Sequence, residues 1–252
     1  MRYKKQIIAG TVILFAMIIA LTGLWLTKIR EIDIDFSSDS ENGEELYAYI
    51  DEKLNSDITG ENILFFKESE IYGLFKDNPY IEITSVKKVF PSSLYIGVTE
   101  RKEYFGITEN GKKYILDKDY FVLSINGATS DKVIDISLTD INYDFSAVKE
   151  GETLDLKSDL KFKLAAEMFD RFPDKRNTVK SIVIDGEKDR VSFNTTEGVD
   201  ITVIQASSMK AEDIDSAIQY YLSLESTRKI SGTILVMRDA QGNLMAPTHT
   251  FG

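Results

Sequence analysis

The stretch "KKVFPSSLYIGVTER", residues 87–101, leaves the backbone few choices. Leu94, Ile96 and Val98 alternate with Tyr95, Gly97 and Thr99, the period of a strand with one buried face. Glu82–Phe90 reads as a second strand. Pro91 stands between the two; it has no N–H to give to a ladder and fixes its own φ, so it ends the first strand, and Ser92 and Ser93 suit the turn. An antiparallel hairpin is predicted. Lys87 and Lys88 are adjacent on a strand and point to opposite faces, where solvation is the reading for both.

The residues before this hairpin give it something to cover. Ile32, Ile34 and Phe36 alternate as a short strand. Leu46, Ile50 and Leu54 recur every four residues and read as an amphipathic helix, which Gly60 and Asn62 break. A second helix is predicted over Lys67–Lys76, with Ile71, Leu74 and Phe75 inward, stopped by Asn78-Pro79. The order is β-α-α-β-β.

Ahead of this module lies "IIAGTVILFAMIIALTGLWL", residues 7–26, which contains no charged side chain. As a helix it spans about 30 Å, the thickness of a bilayer core. A cleaved signal peptide and a buried soluble helix are the rival readings. The run is longer than a signal peptide's apolar core, lacks a small-residue cleavage site before Lys28, and has no polar face. The reading is a single transmembrane helix with residues 1–6 as a cytoplasmic tail and the bulk of the chain outside the cytoplasm. Trp25 falls where an interfacial anchor would.

Residues 103–247 read as a strand-rich domain with two helices. Phe105 and Ile107 lead into a turn at Glu109-Asn110-Gly111, and "KYILDKDYFVLSI" reads as two strands about Asp117-Lys118-Asp119. A helix from Ser158 to near Pro173 carries Leu160, Leu164, Met168 and Phe169. The runs "SIVID", "RVSFNT" and "VDITVI" are strands separated by turns at Gly186 and Gly198. A second helix, about Lys210–Leu224, aligns Ile214, Ile218, Tyr221 and Leu222 on one face, and "KISGTILVMRDAQGNLMAP" closes the domain. The fold class is α+β.

The charge pattern argues against nucleic acid as a partner. Residues 31–252 hold 25 basic and 41 acidic side chains, a net charge of −16 that repels phosphate backbones. There is no cysteine, hence no thiol nucleophile or thiolate metal site. The one histidine, His249, sits on a C-terminal tail, 248–252, which is poor ground for a preorganised triad. No glycine-rich phosphate loop, H-E-x-x-H or EF-hand loop occurs. Asp117 and Asp119 could be drawn as an acid/base pair, but aspartates flanking a turn lysine are ordinary turn chemistry. No catalytic, metal, cofactor-binding or small-molecule site is expected.

"GENILFFKESEIYGLFKDNPYIEITSVKKVFPSSLYIGVTER", residues 60–101, resembles the POTRA module of the FtsQ/DivIB bacterial cell-division proteins. The family pattern G-x-N, a proline-aromatic-V/I turn, V-x-R/K-x-aromatic-P and V-x-E-R is met by Gly60-Glu61-Asn62, Pro79-Tyr80-Ile81, Val86–Pro91 and Val98–Arg101. The later strands resemble the family's β domain, with departures: Tyr120 replaces a glycine, Ile204-Gln205 replaces leucine-glycine, and Ile234 and Val236 replace charged residues. The resemblance implies a membrane anchor at 7–26, a POTRA domain at 30–101 and a β domain at 102–247. It further implies a non-enzymatic scaffold at the division septum that binds FtsB/DivIC-type and FtsL-type proteins and helps control septal peptidoglycan synthesis. The implied contact positions are Met237, Asp239, Leu244 and Met245, with a partner strand adding to an open sheet edge. The alternative is an anchored envelope enzyme or sensor that uses the first module for docking.

Overall fold

The computed structural model describes residues 2–40, 42–129 and 133–250, with side chains from Thr11 onward except those of 20 and 21. Helix α1 covers Arg2–Leu26. The expected transmembrane span at 7–26 is overturned: among the described residues, no helix is long and apolar enough to cross a membrane. Of the expected tail at 1–6, residue 1 and the side chains of the others lie outside the description, while the backbone from Arg2 on belongs to α1.

The chain divides into two compact units, with the boundary between Arg101 and Lys102. In the first, β1 (Glu31–Ser37), α2 (Gly43–Ile58), α3 (Glu68–Leu74), β2 (Ile81–Val89) and β3 (Ser93–Glu100) follow α1. The sheet order is β1-β3-β2, with β1 parallel and β2 antiparallel to the central β3. The alternation read from the sequence decides what is buried: Leu94, Ile96 and Val98 of β3 meet Ile50, Leu54 and Ile58 of α2 and Ile71 of α3 in one core. Gly97 sits opposite the bulge at Thr84-Ser85, where an added Cβ would come within 2.6 Å of the Thr84 hydroxyl. Lys88 is not simply solvated, since its Nζ donates to the Phe66 carbonyl at 2.6 Å.

The second unit is built on a nine-stranded mixed sheet. Its strands are β4 (Phe105–Glu109), β5 (Lys112–Leu116), β6 (Val122–Ile125), β7 (Ile134–Thr139), β8 (Val179–Asp185), β9 (Arg190–Thr195), β10 (Val199–Ile204), β11 (Gly232–Val236) and β12 (Thr248–Thr250). They lie in the order β12-β11-β10-β9-β8-β7-β4-β5-β6. Helices α4 (Leu160–Arg171) and α6 (Ala211–Ser223) bury Phe162, Met168, Phe169, Ile214, Ile218 and Tyr221 in the core shared with the strands. Leu160, expected inward, is exposed, because α4 starts only after the Asp159 cap and Leu160 occupies its first turn.

Two further expectations need correction. Six helices occur among the described residues rather than five; the additional one is α5 (Lys175–Thr178), a single turn entered through Asp174 at φ 47°. One turn carries no periodicity to read. The C-terminal tail is also not free chain: Thr248–Thr250 pair with Thr233–Leu235 as β12, and only 251–252 lie outside the description.

Candidate partner-binding hairpin

Beyond β11 the backbone turns on itself between Met237 and Met245. The Asp239 N–H donates to the Asn243 carbonyl at 2.9 Å, and the Met245 N–H donates to the Met237 carbonyl at 3.0 Å. Arg238 and Leu244 face each other in an antiparallel bridge. The four residues Met237, Asp239, Leu244 and Met245 are therefore brought together, at the two ends and along both arms of one small hairpin.

Their roles differ. Asp239 organises the turn: its Oδ1 accepts from the Gln241 N–H at 2.9 Å and the Asn243 N–H at 2.8 Å, and its Oδ2 accepts from the Asn243 side-chain amide at 3.1 Å. These bonds, led by the Asn243 backbone N–H, hold its carboxyl below the usual carboxylate range. Leu244 and Met245 are exposed, at 38% and 40%, while Met237 is half-buried. The arrangement offers apolar contact on a turn stiffened from within.

Arg238 fastens this hairpin to the body of the unit. One guanidinium nitrogen donates to the Gly242 carbonyl at 2.8 Å and the other to Asp213 Oδ2 at 2.7 Å. Asp213 is also the third residue of α6, where the same oxygen accepts from the Lys210 N–H at 2.9 Å. Nearby, Lys229 pairs with Glu197 at 3.2 Å and lies over the Tyr221 ring, whose hydroxyl donates to Glu197 at 2.5 Å. That bond lowers the Glu197 carboxyl, whereas burial first, and then Glu197, push the Tyr221 phenol up to about 12.

The sheet ends here. β12 covers β11 over three residue pairs and has no strand on its other side among the described residues. The opposite end is closed differently: the Val122 N–H donates to the Glu152 carbonyl, and the Ile125 N–H to the Glu150 carboxylate, so the β6 edge is occupied by the following loop. Of the two ends of this sheet, the edge backbone on β12 is the one able to accept another strand.

Ile230, just before β11 and 70% exposed, extends the apolar surface available on this unit and was not singled out from the sequence, since a lone isoleucine between Lys229 and Ser231 carries no pattern.

The carboxylates considered for acid/base chemistry are engaged structurally. Asp117 Oδ1 accepts from the Asp119 and Phe121 N–H groups at 2.8 and 2.9 Å, and Asp119 pairs with Lys157 at 3.1 Å. His249 faces Ile234 in the β11–β12 ladder. Among the described residues, no group of three or more histidine, aspartate or glutamate side chains is placed to hold a metal ion. No protein-family model matches the chain, and no curated protein matches its sequence.

Proposed function

We propose that this protein is a non-enzymatic assembly component of the bacterial division machinery, of the FtsQ/DivIB kind, acting outside the cytoplasm at the septum. It binds FtsB/DivIC-type and FtsL-type partners there and through them influences septal peptidoglycan synthesis. The observation that carries the reading is the convergence of Met237, Asp239, Leu244 and Met245 on one stiffened hairpin beside an unfilled sheet edge. A partner segment laid along β12 gains backbone hydrogen bonds, while Leu244 and Met245 supply adaptable apolar contact.

Two backbone positions support the same reading. Tyr120 and Gln205 stand where the family pattern has glycine, and both adopt left-handed conformations, at φ 59° and 58°. Glycine reaches that region without strain. Tyr120 is held in it by burial, with its hydroxyl donating to the Phe162 carbonyl at 2.8 Å.

Capture of FtsB/DivIC-type and FtsL-type proteins by the full chain tests the proposal. Met245→Asp and Leu244→Pro are expected to abolish capture. Retention of the complex by both variants rejects this site, and normal septation after depletion of the protein rejects the division role.

A further inference from the structure

One end of the first unit gathers apolar side chains that its own core does not use. Three segments meet there. The Ile63 N–H donates to the Thr27 carbonyl at 2.9 Å, and the Asn62 side-chain amide donates to the Leu24 carbonyl at 3.1 Å and the Thr27 hydroxyl at 2.9 Å, so the 62–66 turn closes the end of α1. The Arg30 N–H donates to the Ser92 carbonyl at 2.8 Å, which brings in the β2–β3 turn.

These turns separate their side chains sharply. Ile63 and Phe66 point into the core at 0% and 4% exposure, but Leu64 and Phe65 between them stand out at 52% and 72%. Val89 and Phe90 are likewise exposed, at 51% and 60%. Outside α1, these four are the large non-tyrosine hydrophobics left exposed among the described residues of the unit. Trp25, near the end of α1 that the 62–66 turn closes, is itself 59% exposed.

The charge around the patch is mainly basic. Segments 24–30, 61–67 and 87–93 contain five cations, Lys28, Arg30, Lys67, Lys87 and Lys88, against Glu61 within them and Glu31 and Glu68 at their borders, in a chain whose net charge is −11; the Glu31 carboxylate accepts from the Ser93 hydroxyl at 3.2 Å. Arg30 lies over the Trp25 ring at 4.3 Å. Exposed aromatic rings ringed by lysine and arginine match the boundary of a bilayer, where rings sit at headgroup level and cations meet anionic lipid.

We propose that this end of the first unit rests on an anionic lipid surface, with Phe65 and Phe90 entering the headgroup–acyl boundary. The inference is independent of the division role. Trp25 is the only tryptophan, so the full chain carrying Trp25→Phe provides a dark background for Phe65→Trp or Phe90→Trp, with Tyr47→Trp as reference. Tyr47 packs on Phe36, toward the far end of β1. The probe is a vesicle of phosphatidylcholine and phosphatidylglycerol whose acyl chains are brominated near the headgroups. A blue shift and bromine quenching at positions 65 and 90, but not at 47, are expected. Lys28→Glu and Lys67→Glu should each weaken vesicle binding roughly fivefold. Far-ultraviolet circular dichroism checks that every variant is folded. If folded Phe65→Trp and Phe90→Trp stay as water-exposed and unquenched as Tyr47→Trp, the proposal is wrong. If quenching occurs but neither charge reversal nor neutral vesicles alter it, the assignment to anionic lipid is wrong.

Discussion

Two antiparallel pairings in this protein are built for opposite ends. The β2–β3 hairpin pairs eight residues of β3, places Leu94 and Ile96 at 0% exposure, and leaves β3 at the centre of its sheet. The β11–β12 pairing joins only three residue pairs, has exposed threonines at both ends of β12, and leaves β12 at the margin. The first closes a core. The second leaves a backbone edge and an adjoining hairpin with apolar side chains outward. The contrast teaches that β12 can leave its edge open because its loss would disturb little of the packing.

Replacing Ile96 with alanine should break the first pairing most severely, costing about 3 kcal/mol by urea denaturation, because the cavity lies where sheet and helices meet. A glycine pair sharpens the comparison at the next level. Gly198 has φ +95°, and a Cβ there would clash with the Ile230 carbonyl oxygen, so Gly198→Ala should cost about 2 kcal/mol. Gly60 has nearly the same φ, +97°, with nothing within 4 Å, so Gly60→Ala should cost only about 1 kcal/mol. Equal losses for the two would show that the close approach at Gly198 carries no weight.

The Glu197–Tyr221 bond adds a pH-dependent element beside β11. Because the Glu197 carboxyl is lowered in the folded protein, its stabilising contribution is present above the ordinary carboxylate range and is lost as pH falls through the folded value. The raised Tyr221 phenol works in the other direction, with its contribution intact below the ordinary tyrosine value and lost as pH rises towards 12. Tyr221→Phe should cost about 1 kcal/mol near neutrality and flatten the acid limb of a stability–pH curve. The smallest stability effect is expected for Met245→Asp, within about 0.5 kcal/mol, since the side chain is exposed. A large loss of stability there would mean that the hairpin belongs to the core rather than to a binding surface.

Much of the strand and helix placement was legible because alternation and four-residue spacing report burial directly. "RVSFNT" and "VDITVI" coincide with β9 and β10, and the β-α-α-β-β order of the first unit was readable from Ile50, Leu54, Ile71 and Leu94. β7 was missed although Ile134, Ile136 and Leu138 alternate, and it is the strand that joins β4 to β8 and makes one sheet of two halves. The membrane span expected at 7–26 rests on an uncharged apolar run and its flanks, and among the described residues no helix is long and apolar enough to cross a membrane. In the candidate site, the four residues could be named by resemblance, but the use of both Asp239 oxygens within its own turn could not.

By itself the sequence determined which faces are buried, where Pro91 stops a strand and where turns occur, because these follow from contacts within a few residues along the chain. The tertiary structure decided what depends on distant partners. It placed β12 on β11, it set Ile230 against Gly198, and it brought Asn62 and Ser92 to the end of α1. Local patterns fix the direction a side chain points, but only chain closure over tens of residues fixes what it meets.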